Sequence, residues 1–256
     1  MRWPRGERRW EILMETENQQ HVSPEMQRLL DGTTVSTEVR ERWPEYRVLV
    51  MVAEGLDAER FNLSHDGDPL DRAEALVREQ EATDWTGHPH IAEWMAAYTA
   101  FGAKPKRTSP SVLALIKRAG SGLPRIDPVT DLYNAISVSH VLPIGGENLD
   151  AYVSAPRLEV ARGGEPFDTV ESGEPAVDAA LPGEVVWLDD RGVTCRRWNW
   201  RQCVRTRIDG DTRTALFLLE ALGAMSDDAL QAAGVELVTG LRRLCPGVVL
   251  AQRLVR

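Results

Sequence analysis

Glu220 is the single carboxylate in the run Ala215-Leu-Phe-Leu-Leu-Glu-Ala-Leu222. Set among so many apolar neighbours, it is either the exposed position of a helix or a buried acid. A buried acid has a raised pKa and can serve as a base or anchor a water. A second polar pair, Asp131 and Asn134, ends the stretch Gly122-Leu-Pro-Arg-Ile-Asp-Pro-Val-Thr-Asp-Leu-Tyr-Asn134. The two are i,i+3 neighbours, so both project from one end of an otherwise apolar helix. The third stretch is Cys195-Arg-Arg-Trp-Asn-Trp-Arg-Gln202, which mixes guanidiniums, indoles and amides. Such a stretch can stack a base or hold a phosphate, and it is equally readable as a Trp-anchored core edge with solvated arginines. Arg196 would favour a thiolate at Cys195, yet no histidine is paired with it, and an inward-facing strand cysteine is the plainer reading.

Most familiar sites are absent from the sequence. There is no Gly-x-x-x-x-Gly-Lys loop, no Gly-x-Gly-x-x-Gly after a strand, and no Gly-x-Ser-x-Gly elbow. His88 and His90 stand two apart, which does not put two ligands on one helical face, so no metal site or cofactor is expected.

The elements that must position these residues read as one α/β domain with a central sheet flanked by helices. Tyr46–Ala53 (YRVLVMVA) is β-branched and almost wholly apolar, the mark of a buried strand. Helices are predicted over Leu70–Thr83 and from His88-Pro89 to Phe101. A third is predicted from Ser109-Pro110 to Gly120, and a fourth from Asp127-Pro128 onward, with Val129, Leu132, Tyr133 and Ile136 facing the core. Strands follow at Arg157–Ala161, Glu184–Asp189 and Val193–Trp198, the last two joined by Asp190-Arg191-Gly192 as a hairpin. Two closing helices are predicted near Thr214–Gly223 and Asp227–Leu244. Residues 1–34 read as an irregular extension and 35–256 as the domain.

The chain has 256 residues, 43% hydrophobic and 27% charged, which is an ordinary globular composition with no stretch long enough to span a membrane. Three cysteines without Cys-x-x-Cys spacing fit a reducing cytoplasm, and the basic start lacks the apolar run of a secretory signal. The net charge is −9, yet the basic residues are concentrated. No acid interrupts Phe101–Ile126, which carries Lys104, Lys106, Arg107, Lys117, Arg118 and Arg125, and seven arginines fall between Arg191 and Arg213. Two such segments in an acidic chain are either solvated faces or a patch for a polyanion.

Several of these stretches resemble one family. Pro124-Arg-Ile-Asp-Pro-Val-Thr-Asp-Leu-Tyr-Asn134, followed by Leu142-Pro143 and Leu149-Asp150, is similar to the Asn-x-Val-x-Asp-x-x-Asn…Pro…Asp stretch of the B3/B4 editing domain of the phenylalanyl-tRNA synthetase β subunit. Leu158-Glu-Val-Ala-Arg-Gly-Gly-Glu165 resembles its strand and turn, and Thr214 with Glu220 its Thr-x-x-x-x-x-Glu pattern. Freestanding B3/B4 proteins are more similar still, through Tyr98-Thr-Ala-Phe-Gly102, Pro105-Lys-Arg107 and Arg196–Gln202.

The resemblance implies a freestanding hydrolase that deacylates mischarged tRNA, or a non-catalytic tRNA- or amino-acid-binding module of the same fold. It implies Glu220 and Asn134 as catalytic-pocket residues, and Arg125, Asp131, Arg197, Asn199, Arg201 and Gln202 as substrate contacts. Lys104, Lys106, Arg107, Lys117 and Arg118 would meet the acceptor end of a transiently bound tRNA. Neither DNA nor membrane is an expected partner. Two departures stand out. The family's pocket histidine is replaced in Pro143-Ile-Gly-Gly146, and its glycine-rich turn becomes Arg197-Trp-Asn-Trp-Arg-Gln202.

Overall fold

The computed structural model describes residues 21–63, 67–80, 83–104 and 107–256. Its centre is a four-stranded antiparallel sheet in the order β11-β2-β10-β3, formed by Val249–Val255, Arg47–Glu54, Thr214–Ala221 and Ile144–Asn148. Strand β2 is the predicted buried strand. Its side chains alternate between two cores because successive residues of a strand point to opposite faces. Val48, Val50 and Val52 enter one core, and Leu49, Met51 and Ala53 the other.

Strand β10 is the largest departure from the sequence reading, which makes Thr214–Gly223 a helix. All eight of its residues are buried. A strand covered on both faces loses the apolar–polar alternation that would identify it, and Ala and Leu are good helix formers. Its even-numbered residues Leu216 and Leu218 join Val48, Val50 and Val52, while Ala215, Phe217, Leu219 and Ala221 join the opposite core.

The second core is closed by two helices, α6 (Pro128–His140) and α7 (Asp227–Leu244), through Val129, Tyr133, Ile136, Leu230, Leu237 and Leu241. Asp127 caps α6 as its position before Pro128 predicts, accepting from the backbone N–H groups of Val129 and Thr130 at 2.9 and 2.8 Å. The first core lies between this sheet and a second one, ordered β1-β4-β7-β8-β9. Those strands are Thr34–Val35, Arg157–Val160, Val185–Leu188, Val193–Arg196 and Arg201–Gln202. Helix α4 (Pro89–Ala100) adds Trp94 and Tyr98 to the same core. Helices α3 (Pro69–Glu79) and α5 (Ser111–Ala119) pack with α6 in a third cluster. A hairpin, β5 (Pro166–Glu171) with β6 (Glu174–Ala179), covers a small fourth one.

Residues 1–20 of the predicted extension lie outside the described residues, and residues 21–34 are more ordered than their polar composition suggests. Pro24–Gly32 forms helix α1, capped by Ser23, and Met26 and Leu30 are buried in the first core. A short helix α2, Thr37–Arg42, follows it.

Candidate functional site

Strand β10 aims Glu220 into the first core, in register with Val48, and its backbone N–H reaches the Pro143 carbonyl at 3.0 Å. The side chain is 1% exposed. Oε1 accepts from the Tyr46 hydroxyl at 2.7 Å and the Trp187 indole at 3.0 Å, and Oε2 accepts from Asn199 Nδ2 at 2.9 Å. Burial pushes its pKa up to about 7, against the partial opposition of these donors. Glu220 is therefore a buried acid, not the exposed position of a helix.

The orientation of Asn199 is fixed by two donors on its other atom. Oδ1 accepts from the Tyr98 hydroxyl at 2.8 Å and the Ser111 backbone N–H at 3.3 Å, so the amide nitrogen must face Glu220. Asn199 sits there because the chain turns sharply before it. Arg197 and Trp198 both take left-handed backbone angles, φ 48° and 67°. Such angles cost about 1–2 kcal/mol per residue without glycine. The Trp198 ring holds the turn in place. It meets Trp43, Tyr46 and Trp94 edge-on at centroid distances of 4.8, 5.0 and 5.0 Å. Its indole N–H lies buried against the Tyr46 hydroxyl and the Glu220 carboxyl, close enough to favour the charged carboxylate but without the alignment of a full hydrogen bond.

A cavity of about 290 Å³ opens beside Glu220. It brings together Asn134 from α6, Trp198, Asn199, Arg201 and Gln202 from the turn and β9, and Glu220 itself. Trp187, Trp200, Leu115 and Leu218 supply apolar wall, and Arg118 stands at the rim, exposed. Gln202 secures the wall by donating to the carbonyls of Gly146 and Thr206 at 3.0 and 2.7 Å. Gly145 and Gly146 lie along one side. A side chain at Gly145 would enter open space, whereas one at Gly146 would run into the Tyr133 ring.

Glu147, also on the cavity wall, is absent from the sequence reading. It is 2% exposed, and Oε2 accepts from Tyr152 at 2.8 Å and Thr206 at 2.6 Å. Burial raises its pKa. The acid after two glycines in Ile144-Gly-Gly-Glu-Asn148 was the available signal, but that stretch carries no strand pattern.

Other residues predicted for the site lie elsewhere. The Arg125 guanidinium bonds Asp68 and Asp71, each at 2.6 Å, and Glu74. Asp131 accepts from the Ile126 N–H at 2.9 Å and lines a separate cavity with Asp68 and Arg72. Arg197 is directed away from the cavity, to Glu184 at 3.0 Å and Thr108 at 2.7 Å, and stacks over Trp200 at 4.5 Å. Cys195 is on the cavity wall, but burial pushes its thiol well up, which opposes a thiolate. Lys104, Arg107, Lys117 and Arg118 are exposed, while Lys106 lies outside the described residues. Among the described residues no group of three His, Cys, Asp or Glu could hold a metal ion, and no helix is long and apolar enough to cross a membrane.

Comparison with known proteins adds the family. None of the curated proteins compared matches the chain. Among solved structures, an N-terminal fragment of the phenylalanyl-tRNA synthetase beta-subunit from Pyrococcus horikoshii is similar at 12% identity, with a TM-score of 0.42, over 88% of this chain and 54% of that one. The chain thus spans about half the length of that structure, and a likeness of this depth carries no further argument. Residues 93–227, more than half of the sequence, match the profile of the B3/4 domain, and the chain belongs to the B3/4 domain family.

Proposed function

We propose that the protein is a hydrolase that removes a wrongly attached amino acid from tRNA. The observation that carries this reading is Glu220: a buried carboxyl with a pKa of about 7 on the wall of an amide-lined cavity. A group titrating near neutrality holds and releases a proton with the least loss in either direction. An aminoacyl ester is already activated, so placing one water and stabilising the oxyanion is enough chemistry for the site.

In this mechanism Glu220 Oε2 takes a proton from a water that attacks the ester carbonyl carbon. The electron pair of the C=O bond moves onto oxygen, and the Asn134 amide donates to that oxyanion. Collapse of the tetrahedral intermediate breaks the bond to the 3′ oxygen of the terminal ribose, which takes the proton back from Glu220. The free amino acid and the deacylated tRNA leave. Arg118 and Arg201, at the cavity edge, meet terminal phosphates, and the exposed Lys104, Arg107 and Lys117 extend the basic surface along the acceptor end.

A second reading is favoured by one observation. All three donors to Glu220 are protein groups, so the carboxyl is also explained as the centre of a buried structural network in a non-catalytic tRNA-binding module. Incubation with a panel of mischarged tRNAs separates the two. Deacylation that disappears in Glu220→Gln supports the hydrolase, and saturable tRNA binding without turnover selects the binding module.

A further inference from the structure

Glu147 and Glu220 place two buried carboxylates on one cavity, and neither has an ion-pair partner among the described residues. The guanidiniums that might neutralise them are committed elsewhere: Arg205 to Asp189 at 2.8 Å and Arg196 to Glu184 at 2.8 Å. A buried carboxylate without a counter-charge is costly, so burial holds both acids toward their neutral form, and a cation entering the cavity would favour the ionised one. The guanidiniums on the cavity, Arg118 and Arg201, belong to exposed residues. The charge order is therefore acid within and base at the edge, which suits a ligand with a cation at one end and a phosphate at the other.

Glu147 is the acid that the hydrolytic step leaves unused. The hydroxyls of Tyr152 and Thr206 both donate to Oε2 of Glu147, and Thr194 adds to the same polar surround. Strands β3 and β10 put the two carboxylates on the same face of the sheet. Glu147 is in register with Leu216, four residues along β10 from Glu220. At roughly 3.3 Å per residue the two backbones are about 13 Å apart, so a ligand group held by one acid leaves room for a reacting centre at the other. Gly145, lying between them, contributes no side chain to fill that room.

We infer that Glu147 binds a primary ammonium group of the ligand, so that the cavity selects aminoacyl groups carrying a free amine. This rests on the reading of the cavity as an aminoacyl site. The amine is either the α-ammonium or a side-chain ammonium; both present the same chemistry to Glu147.

Calorimetric titration of the full chain with hydrolysis-resistant amides tests it. L-leucinamide carries only the α-amine, Nα-acetyl-L-lysinamide only the side-chain amine, and N-acetyl-L-leucinamide neither. At least one amine-bearing probe should bind about tenfold or more tighter than N-acetyl-L-leucinamide, the return expected of a charge-assisted hydrogen bond, and which one it is identifies the amine. Glu147→Gln should abolish that preference. Glu147→Asp, which keeps the charge but retracts it by one methylene, should retain a reduced preference if the Gln variant does not fold. Equal binding of all three probes, no binding of any, or a preference undiminished in both variants overturns the inference. Deacylation of tRNA is read separately. Its absence with the amine preference intact removes the hydrolase and leaves the ammonium site, and the reverse removes only the ammonium site.

Discussion

Replacing Glu220 by glutamine separates the burial of its charge from its hydrogen bonds, because the two respond differently to pH. In the unfolded chain the carboxyl ionises near its ordinary value of 4.5, whereas in the folded chain burial delays ionisation to about 7. The folded state therefore holds the extra proton between those values, and the stability it contributes below pH 4.5 is lost as pH rises through 7. At about 1.4 kcal/mol for each pH unit between the two, the loss amounts to about 3 kcal/mol. Glutamine does not titrate, but it has a hydrogen-bonding fault. If its oxygen accepts from Tyr46 and Trp187, its amide nitrogen faces Asn199 Nδ2, which Tyr98 and Ser111 prevent from turning. Two opposed donors cost about 1–3 kcal/mol at any pH.

Urea unfolding at pH 5 should then find the variant less stable than the parent by about 1–3 kcal/mol. At pH 8.5 the difference should move by about 2–3 kcal/mol in the variant's favour, to near zero or beyond. Other acids titrate equally in both proteins and cancel in the comparison. A difference that stays constant between the two pH values would refute the buried-acid account of Glu220. In the same variant, deacylation of mischarged tRNA should fall by about two to four powers of ten.

Further outcomes follow from the same geometry. Asn199→Ala strips Glu220 of one donor and leaves Tyr98 and Ser111 without their acceptor. It should destabilise the protein by about 2–4 kcal/mol in urea unfolding and move the pH dependence of stability upward. Gly145→Leu projects into open cavity, so its melting temperature should stay close to the parent's while probe binding and deacylation are lost. Reversing Lys117 and Arg118 to Glu should weaken tRNA binding and flatten its dependence on salt; an unchanged slope would show that α5 does not touch RNA. Arg125→Ala should lower the melting temperature by exposing the Glu74 carboxylate without altering deacylation, since Arg125 serves α3 and not the cavity.

The cap at Asp127 and the buried strand after Tyr46 were legible because each is written locally, in a side chain that replaces backbone hydrogen bonds and in an apolar run of strand length. Ser23-Pro24 is the same device as Asp127-Pro128, yet its polar surroundings concealed a helix that buries only Met26 and Leu30. Strand β10 misled because burial on both faces erases periodicity, and the residues that reveal it, β2 and β3, lie far away in the chain. The convergence of Asn134, Asn199 and Glu220 on one cavity followed from the resemblance to a family. Arg125 and Asp131 shared that stretch of sequence but not its destination, because acids on α3 hold the arginine and Asp131 turns back to the start of its own helix. Glu147 was invisible because its character comes from Tyr152, Thr194 and Thr206, none of which is its sequence neighbour.

The pairing of β2 with β10 and β11 has a consequence for synthesis. Strand β2 carries six consecutive apolar residues, Val48–Ala53, and the first residue of its nearest partner in sequence follows about 160 residues later. At about 5–20 residues per second a ribosome takes roughly 8–30 s to make that length. For all of that interval the nascent chain carries a sticky segment with both hydrogen-bonding edges unsatisfied, which α1 and α2, made earlier, cover on one face only. Chaperone occupancy during translation should therefore peak after β2 emerges and decline once β10 and β11 have been made. A shortage of chaperone would reduce the yield of this protein more than its finished stability would suggest.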